Sequence, residues 1–193
     1  DYVAEAERQG VDVYDLINRD VKEIAAGSDR LIYLPYLMGE RAPHLDPDCR
    51  GVFFGLSAIH TKAHLLRAVM EGVSYSLSDC NDILQEMGIE VDQMMACGGG
   101  GKGQVWRQML ADLYGCDVKT VHQSEGPALG VAILAGVGCG VYASVEEACE
   151  KLISEDKCSH PEADHMETYR KYHQLYKKLY LDLKDSYKTL AAL

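Results

Sequence analysis

Positive charge is scarce in this sequence. Nineteen Lys and Arg face thirty Asp and Glu, the net charge is −11, and no four basic residues run together. That argues against a surface built for nucleic acid or an anionic membrane. Long apolar runs are missing too. None approaches the ~20 residues of a membrane span, and the first residues do not read as a secretory leader, so none is expected. The expectation is a cytoplasmic protein with neither nucleic acid nor membrane as partner. The pairing CxxC is absent. Cys49, Cys80, Cys97, Cys116, Cys139, Cys149 and Cys158 are scattered and odd in number. They read as reduced thiols, mostly small core residues, and not as a disulfide or zinc framework. Phenylalanine occurs twice and tryptophan once, against twelve tyrosines.

What is present is an ordinary globular mixture, 193 residues with 47% hydrophobic and 25% charged, enough to bury a core. The first residue is Asp1, and Tyr2 to Arg19 already reads as mid-protein helix, so a piece of a longer polypeptide is expected.

Residues 1–26 carry one or two short helices ending near Gly27. Leu31 to Leu34 and "GVFFGLS" are short extended segments, separated by the turn chemistry of "RAPHLDPDCRG". Thr61 to Met87 is the clearest helix. Thr61 suits the N-cap, Leu66, Val69, Val73, Leu77 and Leu84 recur at helical spacing, and Gly88 suits the left-handed end. Ala68 and Gly72 would admit a second backbone closely. "VDQMMAC" and "DVKTVH" are strands around a helix from Gln104 to Tyr114. Ala128 to Val137 is apolar all round, with Pro127 in its first turn, and should be buried. Ser144 caps a helix to about Leu152, and Lys157 to Glu162 reads as a polar linker. The chain closes on a long helix striped with Tyr169, Tyr172, Tyr176, Leu179, Tyr180 and Leu183. Strand, helix and strand in succession make this α/β with a parallel pair. Two convincing strands after residue 88 are too few for this much helix, so sequence outside the chain should complete the sheet.

The stretch "CGGGGKGQVWRQMLADLYG", Cys97 to Gly115, is the chemical centre of the sequence. A Walker A loop requires GxxxxGK[ST]. Ala96 stands five residues before Gly101, and Gly103 follows Lys102, so the pattern fails twice. Gly98, Gly100 and Gly103 satisfy GxGxxG after a strand, as a dinucleotide site would. The next strand ends in His122 and Gln123, with Glu125 beyond, and offers no ribose-binding acid at its tip. A third reading is an adenosine turn, in which ribose and α-phosphate lie against bare backbone. A tight turn without ligand is the plain alternative.

"GVFFGLSAIHTKAHLLRAVMEG" resembles the C-terminal signature of the FGGY carbohydrate kinases. Gly51, Phe53, Gly55, Leu56, His64, Leu65, Ala68, Val69, Met70 and Glu71 fall in its order and spacing. "LPYLMGERAPHLDPDCRG" resembles the xylulokinase branch, "CGGGGKGQVWRQMLADLYG" the family's adenosine motif, and "EGPALGVAILAGVGCG" its following helix.

The resemblance implies a ribonuclease-H-like, actin-like ATPase domain without its opening strands. It would be the ATP-binding second half of an enzyme whose first half binds sugar. Residues 1–60 would be a cleft-side insert with short strands, 61–152 the α/β core and 161–190 the closing helix. ATP and Mg²⁺ are the implied cofactors, a sugar hydroxyl, first that of D-xylulose, the implied acceptor, and a homodimer the implied assembly. The catalytic aspartate and phosphate hairpin have no counterpart here, so no catalytic residue is assigned and the chain alone should be inactive. A non-catalytic ATP-binding or assembly module on the same fold is the alternative.

Nucleotide contacts are assigned to Gly98, Gly99, Gly100, Gly101 and Gly103. Relatives often carry Ser or Asn at position 103. Lys102 reads as solvated. Arg41 is a candidate cleft residue, with a salt bridge to Glu40 or Asp46 as the structural alternative. His60 and His64 have metal-compatible spacing but no third ligand, and read as a solvated pair, so no metal site is assigned. His160, His165 and His173 carry no assignment. Asp112 reads as packing and capping, Trp106 as core.

Overall fold

The first helices begin on satisfied caps. In the computed structural model, which describes residues 1–122 and 126–193, Asp1 and Asp12 accept hydrogen bonds from the backbone N–H groups of Val3 (2.9 Å) and Tyr14 (2.7 Å). They start α1 (Tyr2–Gln9) and α2 (Val13–Lys22). A left-handed turn follows, with positive φ at Gly27, Ser28, Asp29 and Arg30. Such backbone is unfavourable for non-glycine residues and needs outside support. Glu71 supplies it, accepting from Gly27 N–H (2.9 Å) and the Ser28 hydroxyl (2.8 Å).

Glu71 sits on α3 (Lys62–Glu86), the central helix, which touches α2 and two later helices. Its cap is a box closed by an unusual residue: His64 Nδ1 accepts from Thr61 N–H (3.1 Å) while its Nε2 meets Asp29 Oδ2 (2.9 Å). The solvated reading of this histidine is therefore corrected. His64 is buried and ties the helix start to the left-handed turn, and His60 is half-buried, accepting from Ser57 N–H (3.0 Å) at Nδ1. At Gly72 a methyl group would overlap the Tyr33 carbonyl. The missing side chain lets α3 press against β1 (Ile32–Leu34), which pairs antiparallel with β2 (Val52–Phe54).

The second sheet orders β3 (Gln93–Met95), β4 (Asp117–Val121) and β5 (Glu155–Ser159), with β3–β4 parallel and β4–β5 antiparallel. The parallel pair is as expected. β5 is a correction, because three of its five residues occupy the stretch read as a polar linker. Cross-strand pairing with β4 makes these polar residues a strand. Between the first two strands lie α4 (Gly98–Lys102) and α5 (Gln104–Tyr114), and after them α6 (Gly126–Gly138), α7 (Val145–Leu152) and α8 (Ala163–Ala191).

The tyrosines of α8 build the core. Tyr169, Tyr176, Leu179 and Tyr180 join Val21, Ile32, Leu34, Tyr36, Met70, Tyr75 and Met109 in one buried cluster. α6 does the opposite of what its composition implies. Only Ile133 is buried, while Val131 and Leu134 are 69% and 63% exposed. Its neighbour is α7, which leaves most of its apolar circumference uncovered. The cysteines are free, but only Cys49 and Cys116 are buried, so "mostly core" is also corrected. Among the described residues no helix is long and apolar enough to cross a membrane.

Candidate functional site

The glycine stretch turns the chain sharply between β3 and α5. The ladder runs on through Ala96 N–H to Lys119 C=O (2.8 Å). Cys97 is extended, and Gly98 then takes φ +76°, a value that a side chain resists. A Cβ at Gly101 would stand 2.6 Å from the Ala96 carbonyl oxygen, so this turn folds onto its own strand only without one. Gly98 and Gly99 are exposed and face open space. Gly100 lies against the Trp106 ring, and Gly103 against the Asn18 amide. The short α4 opens on the left-handed Gly98 and breaks at Gly103 (φ −71°, ψ 120°) before α5 begins.

A buried guanidinium braces the turn. Arg107 Nη1 donates to the Gly101 carbonyl (2.8 Å) and its Nε to the Ser159 hydroxyl on β5 (3.2 Å). Trp106 Nε1 donates to Ser74 Oγ on α3 (2.9 Å). One end of α5 is thus pinned to the sheet and to the central helix at once. Asp112 accepts from Glu162 N–H at the start of α8 (2.8 Å) and from Gln108 Nε2 (2.9 Å), and meets His165 Nδ1 (3.1 Å). It packs and caps, as expected, and burial pushes its carboxyl upward against those hydrogen bonds.

Two hollows flank the turn. One is polar, about 680 Å³, walled by Cys97, Gly98, Gly99, Gly101 and Lys102, the end of β4 at Thr120 to His122, and Asp156 and Lys157. The other is apolar, about 420 Å³, set between Tyr14, Ile17 and Asn18 of α2, Leu66, Val69 and Met70 of α3, and Gly99, Gly100, Gly103 and Trp106. Gly99 belongs to both. The five assigned glycines are thus brought together, and Lys102 is exposed at the polar side.

Arg41 is not brought to either hollow. It lies on the loop between β1 and β2, exposed, where its own N–H and that of Ala42 donate to Glu40 Oε1 (2.7 and 3.2 Å). Among the described residues no carboxylate forms a salt bridge with it, so the expected pairing with Glu40 or Asp46 is corrected. Gln123 and Glu125, weighed for a dinucleotide ribose, lie outside the described residues.

Sequence reasoning missed Tyr14, Ile17, Asn18, Arg107, Asp156 and Lys157. The first three lie some eighty residues before the turn, and the last two sit on the unforeseen β5. Arg107 carried no signal, because the apolar spacing of Val105, Met109, Leu110 and Leu113 places it away from the inward face.

Residues 3–139 match the profile described as the FGGY family of carbohydrate kinases, C-terminal domain. Over 172 residues the chain is 37% identical to the xylulose kinase of Bacillus subtilis, covering 89% of this chain and 34% of that protein. It is 36% identical over 187 residues to the gluconokinase of the same organism, covering 96% of this chain and 36% of the relative. Its fold superposes on the ligand-bound xylulose kinase of Lactobacillus acidophilus with a TM-score of 0.84 at 30% identity, covering 94% of this chain and 37% of the other. The chain spans about a third of the length of the curated relatives it matches. With most of its length inside the family profile and its mixed α/β fold that of the actin-like ATPase sugar kinases, the chain belongs to the FGGY family of carbohydrate kinases, in their C-terminal domain.

Proposed function

We propose that this chain is the nucleotide-holding part of a sugar kinase that transfers the ATP γ-phosphate to a sugar hydroxyl, with D-xylulose as the first candidate acceptor. The carrying observation is the exposed backbone of Gly98 and Gly99 at the border of an apolar slot and a polar cleft. A flat base fits the slot, among Tyr14, Ile17, Gly100 and Trp106. Ribose and α-phosphate then lie on Gly98 and Gly99, where no β-carbon blocks approach. The further phosphates leave through the polar side, where Lys102 and Lys157 supply positive charge. Gly103 offers the base no side chain, and Asn18, whose amide stands beside it, takes that place at the slot.

Phosphoryl transfer is largely positioning and charge stabilisation. Mg²⁺, arriving with the triphosphate, supplies charge neutralisation. This chain holds the adenosine end and fixes where the phosphates emerge. The proton-accepting carboxylate and the sugar contacts belong to the remainder of the polypeptide. That remainder also covers α6 and the free edge of β3.

Gluconate is the second candidate acceptor, because a gluconokinase matches more of the chain than the xylulose kinase does. A coupled ADP-release assay on the intact protein, run across D-xylulose, gluconate and related polyols, decides between them. ATP-dependent release with one acceptor supports the reading, and no ATP binding by the intact protein sinks it.

A further inference from the structure

We infer that Asp117, Cys158 and His160 form a binding site for a soft divalent cation of the zinc class. The site lies across the β4–β5 pair. Lys119 and Cys158 are cross-strand partners, and at the end of that ladder the His160 imidazole reaches Asp117. The Nδ1–Oδ1 distance is 2.7 Å, and Cys158 Sγ stands 4.0 Å from the same nitrogen. All three ligand atoms lie within 4.8 Å of one another.

One sulfur, one imidazole nitrogen and one carboxylate oxygen are the donors that zinc selects. Their arrangement separates a cation site from a nucleophilic relay. A Cys–His–Asp relay needs the thiol on one ring nitrogen and the carboxylate on the other. Here both face Nδ1, so the three atoms converge on one point. Bonds of about 2.0–2.3 Å to a shared ion need only small shifts, with the ion replacing the hydrogen bond between His160 and Asp117. The backbone beneath is held, since His160 C=O accepts from Gln108 Nε2 (2.7 Å). The nearby Lys119 ammonium is engaged by Glu155 (2.7 Å). On binding, Cys158 gives its thiol proton to solvent, and His160, whose Nδ1–H donates to Asp117 in the empty site, moves that proton by way of solvent to Nε2 so that Nδ1 can ligate. Thiolate and carboxylate then balance the two positive charges, and water completes the tetrahedron.

A second group, Asp79, Asp82 and His173, has comparable spacing but no sulfur, and Lys177 already pairs with Asp82. It serves as an internal control.

The test is a Co²⁺ titration of the intact, reduced, metal-free protein, followed by its thiolate-to-metal absorption in the near ultraviolet. One equivalent of Co²⁺ should raise the band, and Zn²⁺ should displace it. Cys158→Ser should abolish it. His160→Ala and Asp117→Asn should each weaken binding at least tenfold, while Cys139→Ser and Asp82→Asn leave it unchanged. The ligands are exposed or half-buried, so these variants retain the fold, and thermal unfolding checks that. No band at stoichiometric metal, or a band that survives Cys158→Ser, overturns the site.

Discussion

The two halves of this molecule treat apolar surface in opposite ways. Around α3, α8 and β1, a core of tyrosines is sealed, while Phe53 and Phe54 on β2 stay 39% and 46% exposed. Tyr36, Tyr75, Tyr169 and Tyr176 are each at most 1% exposed. Around β3, β4 and β5, apolar surface is left open, most of all on α6. Each helix of the sealed half carries one apolar stripe, and its partner is within the chain. The helix of the open half is apolar all round, and a helix of that kind requires cover on several sides. The open apolar surface lies beside the three-stranded sheet, where the proposed cover would sit, and the curated relatives are about three times as long as this chain.

The strongest way to break this comparison is to attack the sealed half at the buried pair of Arg67 and Glu71. Glu71 and Arg67 meet at 2.8 Å with side-chain exposures of 2% and 8%. Arg67 also donates to Tyr169 (2.9 Å) and to the Val21 carbonyl (3.2 Å). Glu71→Ala strands that guanidinium and frees the left-handed turn at Gly27. The expected loss is about 3–5 kcal/mol, read from urea unfolding of the intact protein. A loss below about 1 kcal/mol would mean the network is incidental and the sealed half rests on its tyrosines alone.

Leu134→Ser sharpens the same comparison from the other side. Leu134 is exposed in this chain, so the substitution should change the stability of the 193-residue piece by no more than about 0.5 kcal/mol. In the intact protein, where the remainder covers α6, it should cost about 1.5–3 kcal/mol. Equal effects in the two backgrounds would show that α6 stays open, and the proposed cover would be wrong.

Legibility in the sequence followed the same division. α3 was readable because its apolar spacing, Thr61 and Gly88 agree with one another and its partners lie within the chain. The tyrosine stripe of α8 was readable for that reason too. The exposure of α6 was not, because composition says only that a helix wants burial, and not where its partner is encoded. β5 was illegible locally: Glu155, Asp156, Lys157 and Cys158 are exposed and become a strand only by pairing with β4. His64 as a cap escaped because a box of this kind ordinarily uses Glu or Gln at that position. At the site, the glycine turn was visible, whereas its two walls were not. Those walls come from α2 and from β5, far apart in sequence.

The glycine turn lies where the halves meet, with Asn18 of one beside Gly103 and Arg107 linking Gly101 to Ser159 of the other. Gly98→Val tests whether that border holds nucleotide. Valine at positive φ adds strain of about 1–2 kcal/mol and places methyl groups where the phosphate would lie. ATP affinity of the intact protein should fall about tenfold or more, measured by calorimetry, with thermal unfolding as the control. Unchanged ATP affinity in a folded variant would move the nucleotide elsewhere.

The smallest effect concerns the acid limit of the sealed half. Asp46 is buried, and burial alone would push its carboxyl upward. Hydrogen bonds from Asp48 N–H (3.0 Å) and the Tyr180 hydroxyl (3.0 Å) outweigh that and hold it below its ordinary value. A depressed carboxyl contributes stability that is complete above its unfolded value and is lost as pH falls through the folded one. Tyr180→Phe removes one donor and keeps the ring, which stacks on His44 at 3.5 Å and 9°. The variant should be about 1 kcal/mol less stable at neutral pH, by urea unfolding. That gap should close below about pH 4, the ordinary range of an aspartate, as Asp46 takes up its proton in both proteins. A gap that persists undiminished in acid would assign the loss to packing, and the sealed half would then owe nothing at this point to a charge.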